Sequence, residues 1–392
     1  MKTYISLIAG LMALTACQSA LKPELTYDYQ SLLIAEPGFA GDVTPVETEQ
    51  QIYALPEQVQ SELQRILHAT SGITERSKTL LKYIFTFAHD ELIYDNSATK
   101  TASETLAIGK ANCLSLSILA YSMANEVGLK TIFQDVAIPE YWTSEQNTTW
   151  LNGHVNLRIV QNTLPENHSG VILFGRDIVV DFDPTILKQR FSTTQLNKQR
   201  VTAMFYNNKA AEQLNSSEDA QAYQYYLAAI DVDPTFAVTW ANLGVLYRKY
   251  GLDQYAEQAY QHSLKLDPTS LNTMSNLAYL YHRSDRQHQA EQLMQHVNQA
   301  RKNNPYYYLM LGNEALRRND TAEAISQYEH AVRLDRNNHE AYFGLAKAYF
   351  QLNDTVQAER YLQRAKRTAP SDQDKEQYQR KLTSLLQVAS LH

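Results

Sequence analysis

The sequence predicts an α+β N-terminal region followed by an all-α solenoid of five helix pairs and a C-terminal capping helix. Two columns of small residues carry the solenoid. Ala222, Ala256, Ala290, Ala324 and Ala358 stand 34 residues apart, and Ala210, Gly244, Ala278, Gly312 and Ala346 keep the same interval. Self-similarity at such a period marks units that bury a face only by stacking on their neighbours. The mixed region rests on a different pattern. An apolar helical run after Cys113 precedes GHVNLRIV and IVVDFDPT, in which apolar residues alternate with a period of two.

The chain opens with MKTYISLIAGLMALTAC: a basic Lys2, an apolar core from Tyr4 to Leu14, and small residues before Cys17. This is the pattern of a secretory signal, and its core is too short to span a bilayer comfortably. Leu14, Thr15, Ala16 and Cys17 resemble a bacterial lipobox, which implies a signal peptide over 1–16 and a diacylated Cys17 as the new N-terminus. An ordinary cleaved signal leaving a soluble periplasmic protein is the alternative. Gln18 stands where an inner-membrane retention signal usually has Asp, so the resemblance implies an outer-membrane lipoprotein facing the periplasm. Residues 17–54 then read as a lipidated tether and lead-in, with Pro23, Pro37 and Pro45 and no sustained periodicity.

The next region, 55–200, turns helical after Pro56 and reaches GKANCLSLSILAYSM, a Gly-containing turn feeding a helix. Cys113 is therefore expected at a helix N-terminus, where free N–H groups and the macrodipole favour a thiolate. A nucleophilic thiol needs an imidazole and a group that orients it. In GHVNLRIV, alternation sets His154, Asn156 and Arg158 on the face opposite Val155, Leu157 and Ile159. In IVVDFDPT, Asp181 and Asp183 share a face with Val179. Either aspartate fits; Asp181 lies within the strand, whereas Asp183 abuts Pro184 and is suited to open a turn.

This order resembles the transglutaminase-like superfamily, a papain-related fold with a Cys at a helix start, a His on one strand and an Asp on the next. The resemblance covers roughly residues 55–190 and includes the approach SKTLLKYIFTFAHDELIYD and TASETLAIGKANC. It implies acyl transfer or amide hydrolysis, with Cys113 as nucleophile, His154 as base and Asp181, or alternatively Asp183, as the orienting acid. Leu114 replaces the aromatic residue that often follows the Cys in the family, and a polar loop lengthens the His-to-Asp interval. The Cys113 backbone N–H is the one oxyanion donor that the sequence suggests. Some members of the superfamily have lost catalysis, so a non-catalytic scaffold with a degenerate thiol domain is the alternative.

The repeats frame as 203–236, 237–270, 271–304, 305–338 and 339–372. Pro234, Pro268 and Pro370 close the first, second and fifth, while Lys302 and Arg336 replace the proline in the other two. Ala229, Ser263, Val297, Ala331 and Ala365 form a third column. WANLGVLYRKYG followed by QYAEQAYQHSLKLDP resembles the tetratricopeptide repeat, which implies a concave face that takes a protein or peptide partner. Lys249, Arg283 and Arg317 recur near the end of the first helix of three repeats, a candidate ladder for acidic peptide or a carboxylate terminus. Cations there also complement the helix dipole and aid solubility. Residues 373–392, with early acids and Leu382, Leu385 and Leu386, read as the capping helix.

With Cys17 lipidated, Cys113 is the sole remaining thiol of two, so no disulfide is expected. No CxxC, HExxH, EF-hand or glycine-rich phosphate loop occurs, so neither a metal nor another cofactor is implied. A formal net charge of -7 argues against nucleic acid as the partner.

Overall fold

A computed structural model describes residues 29–35, 38–70, 72–91, 93–96, 98–145, 148–160, 177–182 and 191–389. Cys17 and Asp183 lie outside them. The chain forms two units, Met1–Pro37 and Gly38–His392. In the first, Tyr29–Leu32 make a turn of 3-10 helix.

The second unit starts with α1 (Glu49–Tyr53), α2 (Glu57–Ala69) and α3 (Ile73–Glu91). A short strand β1 (Ile93–Tyr94) pairs in parallel with β2 (Lys110–Ala111) around α4 (Ala102–Ile108). Thr101 and Glu104 cap α4 reciprocally, and Gly109, at φ 65°, ends it in the left-handed region that glycine adopts without a Cβ penalty.

The central helix is α5 (Cys113–Glu126), buried nearly all round, as expected of a helix apolar on every face. Gly128, at φ 68°, closes it, with the Leu129 N–H donating to the Ala124 carbonyl. Strands β3 (Thr131–Val136), β4 (Tyr141–Glu145), β5 (Thr148–Asn152), β6 (Val155–Ile159), β7 (Ile178–Val180) and β8 (Thr193–Leu196) follow. Four of them form an antiparallel sheet in the order β7-β6-β3-β8, and β4 and β5 form a hairpin. Leu116, Ile118 and Met123 of α5 are buried with Leu157 and Ile159 of β6 and Val180 of β7.

Among the described residues, five helix pairs succeed β8: α6 (Lys198–Asn215) with α7 (Asp219–Val232), α8 (Ala237–Lys249) with α9 (Asp253–Leu266), α10 (Leu271–Arg283) with α11 (Gln287–Arg301), α12 (Pro305–Arg317) with α13 (Thr321–Leu334), and α14 (His339–Gln351) with α15 (Thr355–Thr368). A last helix, α16 (Asp372–Ala389), buries Tyr378 and Leu382 against the fifth pair. The predicted small-residue columns are buried, because that is where paired helices approach closely. A Cβ on Gly244 would lie 2.6 Å from the Tyr260 ring, and one on Gly312 would lie 2.6 Å from the Tyr328 ring.

A further column is visible only in the backbone. Ser217, Gly251, Asp285, Asn319 and Asn353, each 34 residues apart, all have φ between 58° and 70° in the turn between paired helices. Gly, Asn and Asp tolerate this region best.

Residues 38–48 are fastened to the first repeats. Phe39 meets Tyr223 and Tyr250 at centroid distances of 5.2 and 4.7 Å. The Ala220 N–H donates to the Ala40 carbonyl at 3.0 Å, and the Tyr225 hydroxyl donates to Glu47 Oε2 at 2.7 Å.

Candidate active site

Cys113 occupies the first helical position of α5, immediately after the N-cap Asn112. Asn112 Oδ1 accepts from the Ser115 N–H at 2.9 Å and from the Ser115 hydroxyl at 3.0 Å, while its Nδ2 donates to Thr99 Oγ1 at 3.0 Å. The Lys100 N–H in turn donates to Ser115 Oγ at 2.8 Å. The helix start is thus locked to the loop over 98–100. That loop is tied onward to the first repeat helix, since the Thr99 N–H donates to Glu212 Oε1 at 2.7 Å. Burial raises the Glu212 pKa, against the opposing effect of the Thr99 hydrogen bonds and of Lys209 and Lys100. The Cys113 sulfur lies 3.8 Å from the Gly153 carbonyl oxygen, and the residue is 9% exposed.

His154 follows Gly153 directly and precedes β6. Its Nε2 lies 2.9 Å from both carboxylate oxygens of Asp181, the residue after β7. The antiparallel pairing of Leu157 with Val180 brings these two strand ends together. Both side chains are buried. Burial, the largest influence, disfavours the imidazolium, but hydrogen bonds with Asp181 and Cys113 and the charges of both outweigh it. The His154 pKa is raised from 6.5 to about 10. With Nε2 held by Asp181, Nδ1 is the ring nitrogen left for the Cys113 sulfur.

The structure therefore brings Cys113, His154 and Asp181 together in the order sulfur, imidazole, carboxylate. Such an arrangement can move a proton between sulfur and imidazole while the carboxylate holds the ring's orientation and tautomer. Asn156 adds a fourth member: its Nδ2 donates to Asp181 Oδ2 at 2.9 Å. Alternation placed Asn156 on the His154 face but gave it no role. Asn112, Thr99 and Ser115 had a weaker signal, the preference of Asn for helix N-caps. Among the described residues, no group of three His, Cys, Asp or Glu is arranged to hold a metal ion.

The three repeat cations are not equivalent. Lys249 Nζ lies 2.7 Å from Oδ1 of the buried Asp219. Arg317 donates to Thr149 Oγ1 at 3.0 Å and approaches Glu314 at 3.9 Å, whereas Arg283 is exposed. Two members of the candidate cation column thus also answer acceptors of their own chain.

The tetratricopeptide-repeat family matches residues 259–292 and 309–373. The C-terminal region carries tetratricopeptide repeats. Solved structures similar to this chain include YrrB, a TPR protein with an unusual peptide-binding site. It is 17% identical and the match covers 47% of this chain and 94% of that one, with a TM-score of 0.26. PilW, described as a type IV pilus biogenesis factor, is 16% identical, with 50% and 89% covered and a TM-score of 0.30. The pilF protein of Pseudomonas aeruginosa is 17% identical, with 46% and 82% covered and a TM-score of 0.27. No curated protein matches the chain. Stacked tetratricopeptide repeats present extended binding surfaces, which makes this region an interaction module.

Proposed function

We propose that this protein is a transglutaminase-like thiol acyltransferase or amidase whose tetratricopeptide repeats recruit the protein that it acts on or assembles with. The observation that carries the reading is the buried His154, which holds both Asp181 oxygens at 2.9 Å through Nε2 and shares a side-chain hydrogen bond with Cys113. The Cys113 sulfur attacks an amide carbonyl carbon, forming a C–S bond. As the C–N bond breaks, His154 gives its proton to the departing amine. An incoming amine or water then loses a proton to His154 and displaces the sulfur, so that the thioester becomes an amide or a free acid.

A non-catalytic assembly scaffold is favoured by one observation, the 9% exposure of Cys113. Incubating the full chain with p-nitrophenyl acetate separates the two readings. The acyl-transfer reading expects an acetyl group on Cys113, located by peptide mass spectrometry and absent from Cys113→Ala. Absence of that adduct from folded wild-type protein supports the scaffold.

The same reading makes the protein an envelope lipoprotein anchored through Cys17. Among the described residues no helix is long and apolar enough to cross a membrane, so attachment would rest on the acyl chains. Cys17→Ser is expected to abolish palmitate incorporation and release the protein from the membrane fraction. Retention of the variant in salt-washed membranes would contradict the anchor.

A further inference from the structure

Residues 131–145 run antiparallel to 148–159 in two separate ladders. The first pairs β3 with β6 as far as Asp135 opposite Val155, and the Val136 N–H extends it by donating to the His154 carbonyl at 2.9 Å. The second begins where Tyr141 faces Asn152. Residues 137–140 are therefore left opposite Gly153 alone, and the ladder breaks at that bend. Gly153 supplies the carbonyl beside the Cys113 sulfur, and the next residue is His154. The residue that presents a carbonyl to the thiol, between Asn152 and His154, is thus one that neither ladder holds.

The repeats hold this bend from outside. Arg301, the last residue of α11, donates through Nε to Glu140 Oε2 at 2.7 Å and through Nη2 to Glu140 Oε1 at 2.8 Å. Asn304 Nδ2 donates to the Glu140 carbonyl at 2.7 Å. The guanidinium lies over the Trp142 ring at 4.9 Å, and Arg301 is 4% exposed. A charge so buried is tolerated because the paired fork meets the carboxylate bidentately. Lys offers a single point charge in its place.

We propose that Arg301 is a positioning residue for the Cys113–His154 pair, acting through Glu140 and the bend that carries Gly153 and His154. The proposal rests on the thiol–imidazole reading above. It gives the repeat array a second role, since the third helix pair braces the backbone that presents His154 to the sulfur. A displacement on the order of 1 Å between reacting groups can cost about a hundredfold in rate, so a brace at this bend is felt at the thiol.

The test uses the full chain carrying Cys17→Ser, in which Cys113 is the one thiol of the two still present. The rate constant for alkylation by iodoacetamide is measured from about pH 5 to about pH 9, alongside the thermal midpoint. Arg301→Ala is expected to slow alkylation at neutral pH about tenfold, to bring the pH profile towards that of His154→Ala, and to add nothing in the His154→Ala background. Arg301→Lys should recover part of the rate. Glu140→Gln, which keeps the side chain's size, repeats the test from the other partner if Arg301→Ala does not fold. An unchanged rate in folded Arg301→Ala or Glu140→Gln overturns the proposal, as does an equal loss in both backgrounds. If His154→Ala alone leaves the rate unchanged, the pair reading itself fails and takes the brace with it.

Discussion

Tyr328→Ala is expected to cost about 3–5 kcal/mol of stability, the range for emptying a large buried aromatic site. Tyr328 is fully buried in the cluster that joins the fourth and fifth helix pairs to α16. Its ring fills the space left by two glycines on different helices, Gly312 of α12 and Gly344 of α14. Neither helix can close the resulting cavity without moving against its own pair. The hydroxyl also donates to Asn313 Oδ1 at 2.8 Å, so the substitution strands that acceptor as well. Repeat arrays are coupled mainly between neighbours. Denaturant unfolding should therefore show the loss, and amide hydrogen exchange should place it in α12 to α16 with α8 and α9 still protected. A loss below about 1 kcal/mol would mean that the glycine columns do not set the packing as described.

That packing was legible in the sequence because every repeat meets the same environment, so one steric requirement is written five times. Ala222, Ala256, Ala290, Ala324 and Ala358 need no tertiary information to be recognised. The left-handed turn column was hidden although it is equally regular. Ser217, Gly251, Asp285, Asn319 and Asn353 share a backbone conformation, not a side-chain property. The strap over 38–48 was hidden for a different reason. Phe39 and Glu47 are held by partners about 180 residues or more away, and local periodicity carries no trace of such pairing.

At the candidate site, the sequence order Cys113, His154, Asp181 was readable, but strand alternation was not its basis. Asp181, expected within its strand, follows β7, and His154 precedes β6, because the β6–β7 ladder ends at Leu157 opposite Val180. The register that sets Leu157 opposite Val180 was not readable, nor was Asn156 as a donor to Asp181. The brace from Arg301 to Glu140 joins residues 161 positions apart, and a buried arginine at the end of a repeat looks like any other last-turn cation. Lys249 shows the converse. Its register suggested a partner ladder, but Asp219, 30 residues earlier, takes its charge.

The central claim is that Cys113 and His154 form a reacting pair. Although burial opposes it, the hydrogen bonds and charges of Asp181 and Cys113 raise the His154 pKa to about 10, which keeps an imidazolium beside the sulfur at neutral pH. Without the ring the sulfur loses its proton-transfer partner, and the reaction is expected to slow by about 10- to 30-fold. Asp181→Ala should fall in between or match it, since the ring would lose its orientation but not its presence. The deciding measurement is the iodoacetamide rate constant of Cys113 at neutral pH in folded wild-type and His154→Ala proteins, both carrying Cys17→Ser. The pair predicts fast alkylation in the first and a loss of about tenfold or more in the second. Equal rates, or a Cys113 that reacts only on unfolding, would contradict it.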